Sequence, residues 1–420
     1  MAKSAKSIVS IVKGTDVESM VTEVLSYLGG VTSLIKPNST VVIKPNVGHP
    51  FKEETSVNTN PGLVAAVIKE LRKAKPKQII LAEASARGCD TLECLDVSGI
   101  RKAAEAAGVD QIIDIKREKD LIRIPIRDAR AAVDVIQLPR FLLEADHIVN
   151  MPIFKSHVTM VFTCALKNIK GVVQDTTHFQ MHQTDLAASV LDLWSVIRAD
   201  INIVDLIRPA EGFGPHCTVP AEFGCLVAGQ DPVAVDATVC RMVGLDLSKV
   251  KIFKAARERR FGNSEPGKIE IRGQKIEDVF KNLWLPYLGD LKDWPEYDVQ
   301  DKGACSSCQG LLAFTMERLK AVGEYDKNKG ISILAGPKKA LPKKDPKDII
   351  LIGDCLKKWR GKGAYIAGCP PGERYAIWSI RNRQDSENCN AGARDRASEE
   401  EESRLIMEYI QKVRGGSSKG

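Results

Sequence analysis

Through the first 250 residues, short apolar runs alternate with stretches of helical period, and this alternation constrains the chain more than any other feature. Runs at 7–12, 40–44, 78–82, 111–114, 133–138, 147–151, 201–205 and 224–228 read as strands, and 17–28, 61–74, 99–107, 186–199 and 233–243 carry helical spacing. The expected fold is therefore α/β with a mostly parallel core sheet. Ligands of such sheets sit beyond the carboxyl ends of the strands, so polar residues at those ends are the first candidates for a site.

The pattern loosens between 251 and 300, which reads as a connecting segment, and a second compact α/β unit follows over 301–380. It has a helix at 310–322 and strands at 331–335, 348–352 and 364–367. The remaining 381–420 reads as a C-terminal helix with an acidic start and a tail. Acidic and basic residues are interspersed, and the net charge of +7 suits small anionic ligands. Without a basic stripe carrying aromatic residues, nucleic acid is not an expected partner. No run reaches the roughly 18 apolar residues that span a bilayer, and the N-terminus lacks a signal-peptide pattern. The expectation is a cytoplasmic protein without a membrane partner.

Eleven cysteines in a cytoplasmic chain read as metal ligands, reactive thiols or small buried residues, and rarely as disulfides. Cys305 and Cys308 stand in GACSSCQG, Cys355 in IGDC after one apolar run, and Cys369 in IAGCPPG after another. Two thiols on one loop and one at each of two strand ends can converge on a single centre. Four thiolates hold either a 4Fe–4S cluster or a structural zinc ion. Proline directly after the last cysteine, and the lack of a second CxxC pair, favour iron–sulfur. Cys389, in ENCNAG, is a spare thiol able to replace one of the four. Cys89, Cys94, Cys164, Cys217, Cys225 and Cys240 read as buried small residues.

Polar motifs fill the ends of the other apolar runs. VVIKPN ends in Lys44 and Asn46, and Asn60 precedes Pro61 as a helix cap. After the run 147–151 come Lys155, His157, Lys167, Asn168 and Lys170, with no acid between 150 and 173. Lysines without a carboxylate in the same stretch suit a pocket for a carboxylate or phosphate better than a solvated face. His157 is the candidate for proton transfer, since neighbouring ammonium groups keep an imidazole neutral. Asp205 and Glu211, at the end of another strand, are placed to orient it or to accept its proton, and Asp231 reads as a helix cap. His178 and His182, four residues apart, read as surface or substrate-facing histidines.

Taken in order, VVIKPN, TNP, KSHVTMVFTCALKNIKGVV, VDLIRPAEGFGP and AGQDPVAVD resemble the family known as domain of unknown function 362, whose members are often iron–sulfur proteins. The resemblance runs over 41–245. It implies an α/β fold and, more remotely, similarity to the sheet domains of lactate racemase. Many such relatives attach a two-cluster ferredoxin segment with tightly spaced cysteines, whereas this chain has CSSC, GDC and GCPP instead.

The combined expectation is an iron–sulfur enzyme of anaerobic metabolism, of lyase, isomerase or reductase type, acting on a small anionic substrate. Lys155, His157 and Asp205 are its catalytic candidates. Lys44, Asn46, Lys167, Asn168, Lys170 and Glu211 bind substrate, and Cys305, Cys308, Cys355 and Cys369 hold a 4Fe–4S cluster. A ferredoxin-type electron donor and a second copy in a homodimer are the expected protein partners. Two other readings stay open: a non-catalytic electron carrier or cluster-assembly protein, and a zinc-stabilised binding protein.

Overall fold

The computed structural model describes residues 6–131, 133–157, 159–214, 217–285, 294–369, 371–388, 404–406, 408–409 and 412. They divide into two compact units. The larger takes the described residues of Met1–Ser156, Phe162–Met181 and Ala187–Leu283, and the smaller those of His157–Val161, His182–Leu186 and Trp284–Gly420.

Strands of the first part of the chain are β1 (Ser7–Lys13), β2 (Thr40–Pro45), β3 (Gln78–Glu83), β4 (Gln111–Asp114), β5 (Leu121–Pro125), β6 (Val135–Pro139), β7 (His147–Met151), β8 (Ile153–His157), β9 (Val161–Thr163), β10 (Ile201–Phe213), β11 (Cys217–Pro220), β12 (Cys225–Gly229) and β13 (Ile269–Gly273). The main sheet runs β13-β1-β12-β10-β7-β2-β3-β4. All neighbours on that path are parallel except β12, which is antiparallel to both β1 and β10. Val41, Ile43, Leu81, Val149 and Ile203 of its strands are buried against helix residues such as Val24, Leu63 and Val67.

Two expectations need correcting. The run 133–138 yields β6, which pairs antiparallel with β5 in a separate two-stranded ribbon and stays out of the main sheet. Ile136 and Leu138 are buried while Val135 and Gln137 between them are half-exposed, the one-faced burial of an antiparallel ribbon. Nor is 251–300 a mere connection. Ile252, Phe253 and Ala256 bury one face of the helix Lys251–Glu258, and Ile269–Gly273 extends the main sheet beside β1.

In the smaller unit β14 (Asp298–Gln300), β15 (Ser332–Ala335), β16 (Ile349–Ile352) and β17 (Ala364–Ile366) form an all-parallel sheet in sequential order. Its core packs Ile333, Ile350, Ile352 and Ile366 with Leu312 and Met316 of the helix Ser306–Ala321. The tail expected over 381–420 falls largely outside the described residues, as does Cys389. No helix among the described residues is long and apolar enough to cross a membrane.

Candidate functional site

The order of the main sheet reverses between β7 and β2. From β2 the chain builds outward through β3 to β4, and from β7 it builds the other way through β10. Such a switch opens a crevice beyond the carboxyl ends of the two strands. Lys44 pairs in register with Asn150 there, and Pro45 with Met151. The polar residues following both strands therefore converge at the switch.

Lys44 is fully buried, and its Nζ donates to Glu83 Oε2 (2.9 Å), Pro45 O (2.7 Å) and Asn168 Oδ1 (3.3 Å). Glu83, at the end of β3, also accepts from the amides of Val47 and Ala84, both at 2.9 Å. Burial pushes Lys44 down and Glu83 up, against the attraction of the ion pair between them. Gly171 makes the pair possible, because a methyl group at that position would overlap Glu83 Oε1 and Lys44 Nζ.

A chain of amides continues from the pair. Asn46 Nδ2 donates to Asn168 Oδ1 (2.7 Å), Asn168 Nδ2 to Asn150 Oδ1 (2.8 Å), and Asn150 Nδ2 to Asn202 Oδ1 (2.8 Å). Asp236 holds the short helix that carries Lys167 and Asn168 by accepting from the amides of Ala165 (2.7 Å) and Leu166 (3.1 Å). Burial raises the Asp236 carboxyl to about 7.

Lys155 on β8 is buried and donates to Asn46 Oδ1 (2.7 Å) and to Val57 O. Burial lowers its ammonium to about 7, with Glu83 opposing and Lys44 adding to the fall. Lys167 donates to Thr163 Oγ1 (3.1 Å) and is held well below its ordinary value by burial and by the charges of Lys155 and Lys44. Lys170 contacts His178 Nε2 and is lowered by burial and by Lys167. Among the described residues, no carboxylate lies within ion-pairing distance of Lys155 or Lys167, and the nearby Glu83 is committed to Lys44. The result is a cluster of buried and half-buried amines at the switch point, able to donate hydrogen bonds and, at Lys155, to take up a proton near neutral pH.

Other expected residues are placed differently. Asp205 is not turned toward the amines by any hydrogen bond, since its oxygens accept from the amides of Asn60 (2.8 Å) and Ile207 (3.0 Å) and so brace the turn before Pro61. Burial raises it to about 6. Glu211 is buried on β10 in register with Val219 of β11. His157 belongs to the smaller unit and accepts from Thr159 N at 3.0 Å through Nδ1. The expected caps form: Asn60 Oδ1 accepts from Leu63 N (3.0 Å), and Asp231 from Val233 N (2.9 Å). Glu83 went unnoticed in the sequence, although it ends an apolar run as Lys44 does. Asn150 and Asn202 were also missed, each a polar residue inside an apolar run.

In the smaller unit Cys305 immediately precedes the helix Ser306–Ala321 and Cys308 lies in its first turn. Cys355 follows β16 and Cys369 follows β17, so both stand at carboxyl ends of the parallel sheet. The four thiols lie within electrostatic reach of one another. A hydrogen bond from Cys308 and the amides of the first helical turn pull Cys305 down to about 6 against its burial. Cys308 is raised by that same bond, by burial, and by the charges of Cys305, Cys355 and Cys369. Burial, Cys369 and Cys305 raise Cys355. Gly353, at φ 88°, lets the loop after β16 pass close to Cys308, where a methyl group would stand 3.3 Å from its sulfur. Four thiols, on one helix start and two glycine-flanked loops at the carboxyl end of the sheet, fit a four-thiolate group. Among the described residues, however, no three His, Cys, Asp or Glu side chains are already closed into a metal-ligating arrangement. Cys94, Cys164, Cys225 and Cys240 are buried as expected, and Cys89 is half-buried.

The larger unit also has a charged cleft. Arg127, Arg130, Arg259, Asp192 and Phe261 line a cleft of about 470 Å³. Asp192 pairs with Arg259 there and accepts from the amide of Ala131 (3.0 Å).

Thylakoid-associated protein sll1697 of Synechocystis sp. is 26% identical over 275 residues, spanning 61% of this chain and 81% of that protein. A structural-genomics crystal structure from Thermotoga maritima aligns with a TM-score of 0.31 at 15% identity, covering 53% of this chain and 57% of its own. The lactate racemase apoprotein of Thermoanaerobacterium thermosaccharolyticum aligns with a TM-score of 0.44 at 12% identity, covering 91% of this chain and 84% of its own. Likenesses of that size carry no argument about function. The stretch that builds the amine crevice, residues 41–241, matches the family described as Domain of unknown function (DUF362).

Proposed function

We propose that the chain binds a small carboxylate or phosphate in the amine crevice of its larger unit and carries a 4Fe–4S cluster on Cys305, Cys308, Cys355 and Cys369 of its smaller one. It would serve as an enzyme of lyase, isomerase or reductase type. The observation that carries the reading is the pair Lys155, buried, and Lys167, half-buried, at the switch point of the sheet, neither ion-paired to a carboxylate among the described residues. An anion bound there would supply the missing counter-charge and draw both amines into their protonated forms.

Within the crevice, Lys155 would hold the ligand through Nζ and exchange a proton with it, steadied by Asn46 and Val57 O. Lys167 and Lys170 would add charge-assisted donors, and the Lys44–Glu83 pair would keep the crevice open by fixing β2 against β3. A bound cluster supplies either one-electron transfer or a Lewis-acidic iron, and the four cysteines would be its ligands.

Calorimetric titration of the full chain with inorganic phosphate and with malonate tests the anion reading. Binding that Lys155→Ala and Lys167→Ala each weaken, with unchanged far-ultraviolet circular dichroism, is the expected result. Equal binding by wild type and both variants would remove the crevice as the site.

A further inference from the structure

Two serines separate Cys305 from Cys308, and both grip one short segment that is remote in the chain. Ser306 N donates to Thr184 O (3.4 Å), and Ser306 Oγ accepts from Leu186 N (3.2 Å). Ser307 Oγ donates to His182 O (2.9 Å) and lies 3.2 Å from His182 Nδ1, although those two residues are 125 positions apart. Residues His182–Leu186 accordingly belong to the smaller unit. Between the gripped residues stands Gln183, whose side-chain Nε2 donates to the sulfur of Cys369 at 3.2 Å.

The arrangement has a physical logic. Gln183 is exposed, and an exposed amide loses rotamer freedom when it is held in one place. Here the backbone on either side is already fixed by four contacts to the CxxC serines, so little beyond the side chain's own torsions has to be ordered. A donor held against a ligating sulfur does two things. It orients the ligand, and it withdraws electron density from the sulfur, which favours the more electron-rich reduced state of the centre.

We propose that Gln183 is a positioning residue of the four-thiol centre, setting the orientation of Cys369 and making a cluster held there easier to reduce. This rests on the reading of the four cysteines as iron–sulfur ligands. Gln183 would then tune the centre from a segment outside the cysteine motifs, with Ser306 and Ser307 as the clamp that presents it.

The test uses the full chain reconstituted anaerobically, with iron content measured beside a redox titration followed by visible absorption and electron paramagnetic resonance. Gln183→Leu should keep wild-type iron content yet be about tenfold harder to reduce, a downward shift of about 59 mV for a one-electron couple. Gln183→Glu, which keeps the length and places a carboxylate beside the sulfur, should shift the potential at least as far in the same direction. It decides the matter if the leucine variant fails to fold. Ser307→Ala should reproduce part of the shift by loosening the clamp. Iron-loaded variants with the wild-type potential would overturn the role of Gln183 while leaving the cluster reading intact. A wild-type chain that binds no iron would overturn both.

Discussion

In the larger unit Lys44, Lys155 and Lys170 are 1%, 4% and 4% exposed, whereas in the smaller unit Cys355 is exposed and Cys305 and Cys369 are half-buried. The two sets of side chains also differ in support. The amines are surrounded by asparagines and main-chain carbonyls, with one carboxylate among several cations. The thiols are flanked by glycine turns and one helix start. A buried ammonium must be paired, solvated by protein dipoles or neutralised, so the amine crevice has to be built even when empty. A neutral thiol tolerates burial without such scaffolding, and its loops need only be able to close. Breaking the Lys44–Glu83 pair of the first site should therefore cost stability, and breaking the second site should cost loading.

The largest effect is expected at Glu83. Glu83→Ala leaves Lys44 without its partner and should destabilise the chain by about 3–5 kcal/mol, read as a fall in the urea midpoint. A loss below about 1 kcal/mol would mean that Lys44 is neutral in the folded state and that the pair is not what holds the crevice.

At the other site, Cys355→Ser should lower iron from about four per chain toward background. It should change unfolding of the iron-free chain by no more than about 0.5 kcal/mol, as for an exposed position. Iron and colour that survive the substitution would make Cys389 the replacement ligand.

Lys155→Met and Lys167→Met should each weaken phosphate or malonate binding by about 1.5–3 kcal/mol, the value of a charge-assisted contact. Calorimetry separates this outcome from a structural one, in which binding and thermal stability would fall together.

The smallest effect concerns pH. Unfolded chain keeps Lys155 protonated up to its ordinary value of 10.5, whereas the folded chain releases that proton near 7. The unfolded state therefore binds more protons between those values, and stability rises with pH across the window and loses that contribution below it. Asp205 and Asp236, raised to about 6 and about 7, act oppositely at lower pH: their contribution falls as pH rises from 3.8 and is exhausted by about 7. Lys155→Met should flatten the alkaline slope of stability. Phosphate affinity of the wild type should decline above pH 7, since the amine must be protonated to hold the anion. A slope that Lys155→Met leaves unchanged would assign it to Lys167 and Lys170.

Local order was legible in the residues themselves. The runs at 7–12, 40–44, 78–82 and 147–151 became strands because burial on both faces demands continuous apolar residues, 111–114 became a half-exposed edge strand, and Asn60 and Asp231 cap their helices because short polar side chains reach the first amides. The spacing of Lys155, Lys167, Asn168 and Lys170, free of acids, likewise marked them as unusual before any fold was known. What lay beyond reach was every pairing made through space. Glu83 finds Lys44 only because β3 lies beside β2, and Ile269–Gly273 becomes a strand only because β1, from the other end of the chain, offers it an edge. Asp205, a carboxylate at a strand end, reads as a partner for a base, yet its oxygens brace the Asn60 turn. The segment His182–Leu186 carries no mark of its association with CSSC, since serine hydroxyls and main-chain carbonyls bond whatever the fold brings to them. Sequence records which residues want burial, caps and charge; only tertiary structure decides which of them meet, because hydrogen bonds and ion pairs depend on distance in space, to which distance along the chain is nearly blind.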